Sequence, residues 1–151
     1  MLNKNNILII GVGNTLMGDD GIGAYVAARL EALQLPGVRT ITVQQITSDL
    51  LDEMLTVRHT VIVDAKLEAS PVDFTQVTAT DAAGSPQSHH ASAPLLMQLA
   101  KLVYNKDLSV WVCGVGAWDL DLEEKLSPRG KKNADQAVST ILGWINGHES
   151  Q

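Results

Sequence analysis

Residues 7–23 read ILIIGVGNTLMGDDGIG: four aliphatic residues in a row, then a loop with glycines at 11, 13, 18, 21 and 23 and two adjacent acids, Asp19 and Asp20. A short unbroken aliphatic run that ends in glycine suits a strand buried on both faces, as in a parallel sheet. Immediately afterwards Ile22, Val26, Leu30 and Leu33 recur at helical spacing, so the stretch reads as strand, tight turn, helix. Two further runs of the same kind, residues 61–63 and 110–115 (the second interrupted by Cys113 and Gly114), predict two more buried strands.

Helical periodicity returns in Leu95, Leu99, Leu102 and Val103, and again in Ala134, Val138, Ile141 and Ile145; a shorter helix is expected from Ser48 to Leu55. The segment VRTITV at 38–43 alternates and reads as a less buried strand. VDFTQVTA at 72–79 reads as an edge strand with scope for antiparallel pairing. The order βαβαββαβα predicts a three-layer α/β/α sandwich: a mostly parallel, twisted, five-stranded sheet with helices on both faces and right-handed crossovers. Neither a repeat nor a linker interrupts it, so residues 1–151 are expected to form one domain. The turn-rich segment TDAAGSPQSHHAS, residues 80–92, is expected to be a surface loop.

A chain of 151 residues buries roughly 68–70% of its unfolded surface, enough to fold without staples. The net charge of -6 argues against a nucleic-acid backbone as partner, because phosphate contacts need clustered cations; only Arg129, Lys131 and Lys132 form such a cluster. Cys113 is the single cysteine, which excludes a disulfide framework and a CxxC zinc site, and its aliphatic setting predicts a buried strand residue. Glycines and acids interrupt the N-terminal apolar stretch before a signal peptide or membrane span is complete. The expectation is a soluble, cytoplasmic protein with no membrane partner, acting as a monomer.

The opening loop only half matches a dinucleotide fingerprint. Gly11 and Gly13 are in place, but Leu16 stands where the third glycine belongs, and Val43, Gln44 and Gln45 stand where a ribose-binding acid would close the second strand. Asp19 and Asp20 would put two negative charges at the helix end that a pyrophosphate needs. The loop therefore suits a cation. One acid can cap the following helix, but two exceed what one cap requires. A third carboxylate, Asp64, closes the aliphatic stretch TVIVD at the carboxyl edge of the sheet, where open α/β folds place ligands. His89 and His90 precede the third long helix, for which Ser92 is a natural N-cap and Pro94 a first-turn residue. Two carboxylates and an imidazole with open positions make a plausible catalytic site for a divalent cation.

At these residues the chain resembles the maturation endopeptidases of NiFe hydrogenases. The signature is spread in order over nearly the whole chain: IGVGNTLMGDDGIG (10–23), VIVDA (61–65), SHHAS (88–92), and GVG followed by KLSP (114–128). The resemblance implies a single α/β/α domain that removes a short C-terminal extension from the hydrogenase large-subunit precursor after nickel insertion. By position it puts the family's acidic metal contact on Asp20, its strand-end aspartate on Asp64 and its histidine on His89 or His90. Counting without gaps back from Leu96 and Met97 favours His89. Where many members carry an aspartate and glycines after the second strand, this chain has Gln44, Gln45, Ile46 and Thr47, a departure that bears on which large subunit is recognised.

The implied chemistry is peptide hydrolysis in which Asp20, Asp64 and His89 contact nickel carried by the substrate, with room for another divalent cation in the free protein. One carboxylate or a metal-bound water attacks the bond, and paired acids have led some to group the family with aspartic peptidases. Gly13, Asn14, Gly18, Asp19 and Thr47 are the expected substrate contacts. HExxH and GxSxG are absent. Two rival readings are a non-catalytic module that binds a metal-loaded protein tail and, less compatible with the acids, a nucleotide-binding domain. Trp118, in the loop after the last strand, is the expected exposed anchor for a partner, whereas Trp111 and Trp144 are expected in the core.

Overall fold

The computed structural model describes residues 6–67, 70–80 and 92–149. Its elements run β1 (Ile7–Val12), a 3-10 turn (Gly18–Gly21), α1 (Ile22–Ala32), β2 (Val38–Val43), α2 (Leu50–Met54), β3 (His59–Leu67), β4 (Val72–Val77), α3 (Ser92–Tyr104), β5 (Ser109–Ala117) and α4 (Pro128–Glu149). The five strands lie in the order β2-β1-β3-β5-β4. All neighbours are parallel except β4, which runs antiparallel along β5. The expected mostly parallel sheet and its antiparallel edge strand are both present.

Side chains alternate across a strand, and here the two sets feed two separate cores. Ile7, Ile9, Val61, Val63, Cys113 and Val115 face α1 and α4. Leu8, Ile10, Val12, Ile62, Val110 and Val112 face α2 and α3. Strands apolar on both faces have no solvent side, which is why the sequence shows runs and not alternation. Each fully buried Leu or Ile here contributes about 1.5–3 kcal/mol by leaving water.

Two expectations about elements change. Asp64 does not end its strand: β3 continues through Leu67 because β5 goes on pairing with it as far as Ala117. In α3 the buried face is Ala93, Leu96, Met97 and Ala100, while Leu95, Leu102 and Val103 are exposed. That helix is apolar around most of its circumference, so periodicity alone could not choose the face that meets the sheet. No helix among the described residues is long and apolar enough to cross a membrane.

Candidate active site

Strand β1 has β2 on one side and β3 on the other, so the chain leaves the sheet in opposite directions from neighbouring strands. The carboxyl ends at such a switch point leave a crevice, the usual ligand position in open α/β sheets. Here the first turn of α1 lies directly on the strands. A Cβ on Gly23 would sit 2.5 Å from the Val12 backbone nitrogen and 2.7 Å from the Val63 carbonyl oxygen. This close approach brings the preceding 3-10 turn, which carries Asp19 and Asp20, against β3.

Asp20 is half-buried, and its Oδ2 accepts a hydrogen bond from the Asn14 backbone N–H at 2.7 Å. Gly13 makes that geometry possible. Its φ of 136° lies where L side chains are strained, and a Cβ there would fall 2.0 Å from the Asp20 carbonyl oxygen. The Asn14 side chain is engaged in the turn itself, with Oδ1 accepting from the Leu16 N–H at 2.9 Å. Asp64 is only 4% exposed and pairs in register with Gly114 of β5. The pairing of β1 with β3 ends at Gly11 and Val63, one residue before Asp64, so this acid stands where β1 peels away into the glycine loop. Strand alternation puts it on the face covered by α2 and α3.

Asp19 behaves differently from both the expected cap and the expected substrate contact. It is wholly buried, and its oxygens accept four hydrogen bonds: from the Trp118 N–H at 2.8 Å, the Asp119 N–H at 3.1 Å, the Ser127 N–H at 2.7 Å and the Ser127 hydroxyl at 2.7 Å. No side chain caps α1, whose N-cap is Gly21. Burial pushes the Asp19 carboxyl up, but the Ser127 hydroxyl and the three backbone N–H donors outweigh it and hold the group below its ordinary value. Asp19 thus ties residues 118–127 to the glycine loop. Backbone bonds complete the tie: Gly18 N–H to the Glu123 carbonyl at 2.8 Å, Glu123 N–H to Leu16 at 2.9 Å and Asp19 N–H to Asp119 at 2.6 Å.

The remaining expected contacts spread along the same edge. Gly18 lines a cavity of about 520 Å³ with Thr15, Gly21, Ala24, Lys125 and Leu126. Gly13 lines an adjoining one of about 200 Å³ with Thr15, Ala24, Thr42 and Gln44. Thr47 is exposed, and its hydroxyl donates to Asp49 within the loop after β2. His89 and His90 lie outside the described residues, and among the described residues no group of three or more His, Cys, Asp or Glu side chains is placed to hold a metal ion. Ser127 and Gly130 were not singled out as site residues from the sequence. Their signal was the second acid of the Asp19–Asp20 pair, which needed a structural partner of its own.

Trp118 is exposed, with the Arg129 guanidinium 4.5 Å from its ring centroid. Trp111 and Trp144 pack with Phe74 against the core.

Comparison with known proteins settles the family. Over 95% of its length the chain is 30% identical to a Methanocaldococcus jannaschii protein assigned as a hydrogenase maturation protease, and it covers 99% of that protein. This chain belongs to the hydrogenase maturation protease family. No family model matches it. In fold it is similar to the hydrogenase maturating endopeptidase HybD of E. coli, with a TM-score of 0.77 at 20% identity over 95% of this chain and 93% of that one. It is also similar to the NiFe hydrogenase maturation protease HybD of Thermococcus kodakarensis, with a TM-score of 0.70 at 23% identity over 92% and 98%. The family is one of hydrolases.

Proposed function

We propose that this protein is an endopeptidase that removes the C-terminal extension of a NiFe hydrogenase large-subunit precursor after nickel insertion, with Asp20, Asp64 and His89 contacting the nickel carried by that substrate. The observation that carries the reading is the placement of the Asp20-bearing turn against β3 at the point where β1 leaves Asp64, in a chain of this family. Two carboxylates of opposite charge to a loaded metal, one of them almost fully buried, attract it more strongly than solvated acids would. A nickel-free tail offers no such attraction, so charge distinguishes the finished precursor from the unfinished one.

The chain's own residues do the positioning. Asn14 N–H holds one oxygen of Asp20, and the missing Cβ of Gly13 lets the Asp20 backbone close against the loop. The cavities on either side of Thr15 and Ala24 leave space for the residues flanking the scissile bond. Hydrolysis adds water across that amide, so the extension leaves with a new amino terminus and the large subunit retains a new carboxylate. His89 stands three residues before α3 in sequence, and α3 covers the face on which Asp64 lies. A divalent cation bound by the free protein would draw on the same donors.

The deciding experiment mixes the protein with the nickel-loaded and the nickel-free precursor and follows both by intact mass. Loss of a C-terminal peptide from the loaded form alone, abolished by Asp20→Ala or Asp64→Ala, is the expected result. Tight binding of the loaded form without cleavage would replace the enzyme by a recognition module.

A further inference from the structure

Residues 118–124 read WDLDLEE, and the structure exposes the apolar members of this alternation together with one from the glycine loop. Trp118 is 48% exposed, Leu120 37%, Leu122 79% and Leu16 49%. The two loops are joined by the bridge between Met17 and Glu123, so these exposed side chains stand on adjoining segments. Between them stand Asp119, Asp121, Glu123 and Glu124.

This apolar loop is also held in place. Asp19 anchors both its ends through four hydrogen bonds, the Asp121 N–H donates to Asp119 Oδ1 at 2.9 Å, and Arg129 stacks on Trp118. Four large apolar side chains exposed on adjoining, anchored segments are more than scattered surface residues, and such groupings mark interaction sites. An immobilised Trp with a stacked Arg is the composition of an interface anchor, and fixing it beforehand lowers the entropy lost on binding.

We propose that this surface docks the folded body of the precursor protein, through a patch on the precursor that combines apolar pockets with Lys and Arg. The four acids supply the charge complement and the apolar side chains the buried centre, as in interfaces with an apolar core and a polar rim. The proposal rests on the function proposed above. Leu16 is four residues before Asp20 in the loop whose Asn14 N–H holds the Asp20 carboxylate, so a body seated here brings its tail to the acids. Docking and cutting are then separate tasks of neighbouring residues.

The test measures binding to immobilised nickel-loaded precursor, and cleavage of the same precursor, for the unaltered protein and for Trp118→Ala, Leu122→Asp and the pair Asp121→Lys with Glu123→Lys. Leu102→Asp, at an exposed position of α3, is the control. Leu122→Asp, at the most exposed apolar position on these loops, keeps the test independent of folding. Trp118→Ala and Leu122→Asp are expected to weaken binding and raise KM about tenfold or more. The charge-reversed pair is expected to slow association and flatten its salt dependence. Unchanged binding in both apolar variants overturns the proposal, as does an equal loss in Leu102→Asp. If the unaltered protein binds but does not cleave, while Leu122→Asp fails to bind, the docking surface stands and the peptidase reading falls. If the unaltered protein neither binds nor cleaves, both fall.

Discussion

Gly130 lies directly against the carboxylate of Asp19: a Cβ at Gly130 would stand 2.2 Å from Asp19 Oδ1 and 2.5 Å from its Cγ. The carboxylate cannot retreat, because four donors hold it. Gly130→Ala is therefore expected to destabilise the protein by about 3 kcal/mol, at the upper end of overpacking effects. Gly143, also within α4, has nothing within 4 Å of its Cβ position, and Gly143→Ala is expected to stabilise by about 0.5–1 kcal/mol. Urea midpoints of the two variants should move in opposite directions.

Asp19→Asn replaces a four-fold acceptor by a group that must turn an NH2 toward one of the same donors. The expected loss is about 3 kcal/mol, because buried donors lose a charged partner. The acid limb of the stability curve changes too. The folded-state carboxyl of Asp19 sits below its ordinary value of 3.8, so the unfolded chain takes up the proton first. Its contribution is complete above that value and is lost as pH falls through the folded-state value. Denaturation between pH 2 and pH 6 should show a shallower acid loss in the variant.

Asp20→Asn and Asp64→Asn are each expected to lower cleavage of the loaded precursor by about 100-fold or more, the range for groups acting directly on proton or charge in the reaction. His89→Ala should match them and His90→Ala should not. Asp20→Asn keeps an acceptor for the Asn14 N–H, so its thermal midpoint should stay near that of the unaltered protein, which separates a lost reaction from a lost fold.

At the opposite edge of the sheet, His59 packs edge-on to Trp144 and His148, and its Nδ1 lies 2.8 Å from Ser109 Oγ. Burial first, then His148 and Arg58, hold its pKa below the usual 6.5. The unfolded chain therefore binds the proton more readily between the two values. Stability is full above about pH 6.5 and declines as pH falls toward the folded-state value. His59→Gln should flatten that decline in denaturation curves taken between pH 5 and pH 7.

Burial first, and then the nearby Asp73, push the Cys113 thiol up to about 12. At pH 8 the thiolate fraction is on the order of one in ten thousand, and the side chain is fully buried. A thiol reagent should leave the native protein unmodified and titrate one group after unfolding in guanidinium.

The fold was legible because buried parallel strands leave unbroken aliphatic runs: residues 7–10, 61–63 and 110–115 all fell inside β1, β3 and β5. The buried face of α3 was not, since Leu95 and Leu96 are equally apolar and only the sheet decides between them. The acids show the same limit at closer range. Asp19 and Asp20 are neighbours with identical side chains, and what separates them is Ser127, Trp118 and Gly130, about a hundred residues away. Sequence could say that two acids were more than one cap needs, but not which one faces inward. Trp118 was readable as exposed because acids surround it, whereas the role of Gly130 depends on a three-dimensional approach with no local sign.

The donors that hold Asp19 lie 99, 100 and 108 residues further along the chain. Asp20 and Asp64 both lie in the first half of the sequence, whereas the donors beside Asp19 come after β5 and, for Ser127, just before α4. A chain ending after β5 would carry Asp20 on a loop whose neighbouring Asp19 lacks all four of its donors. The loop that bears Asp20 is thus fastened by a long-range contact, made by residues that follow the last strand.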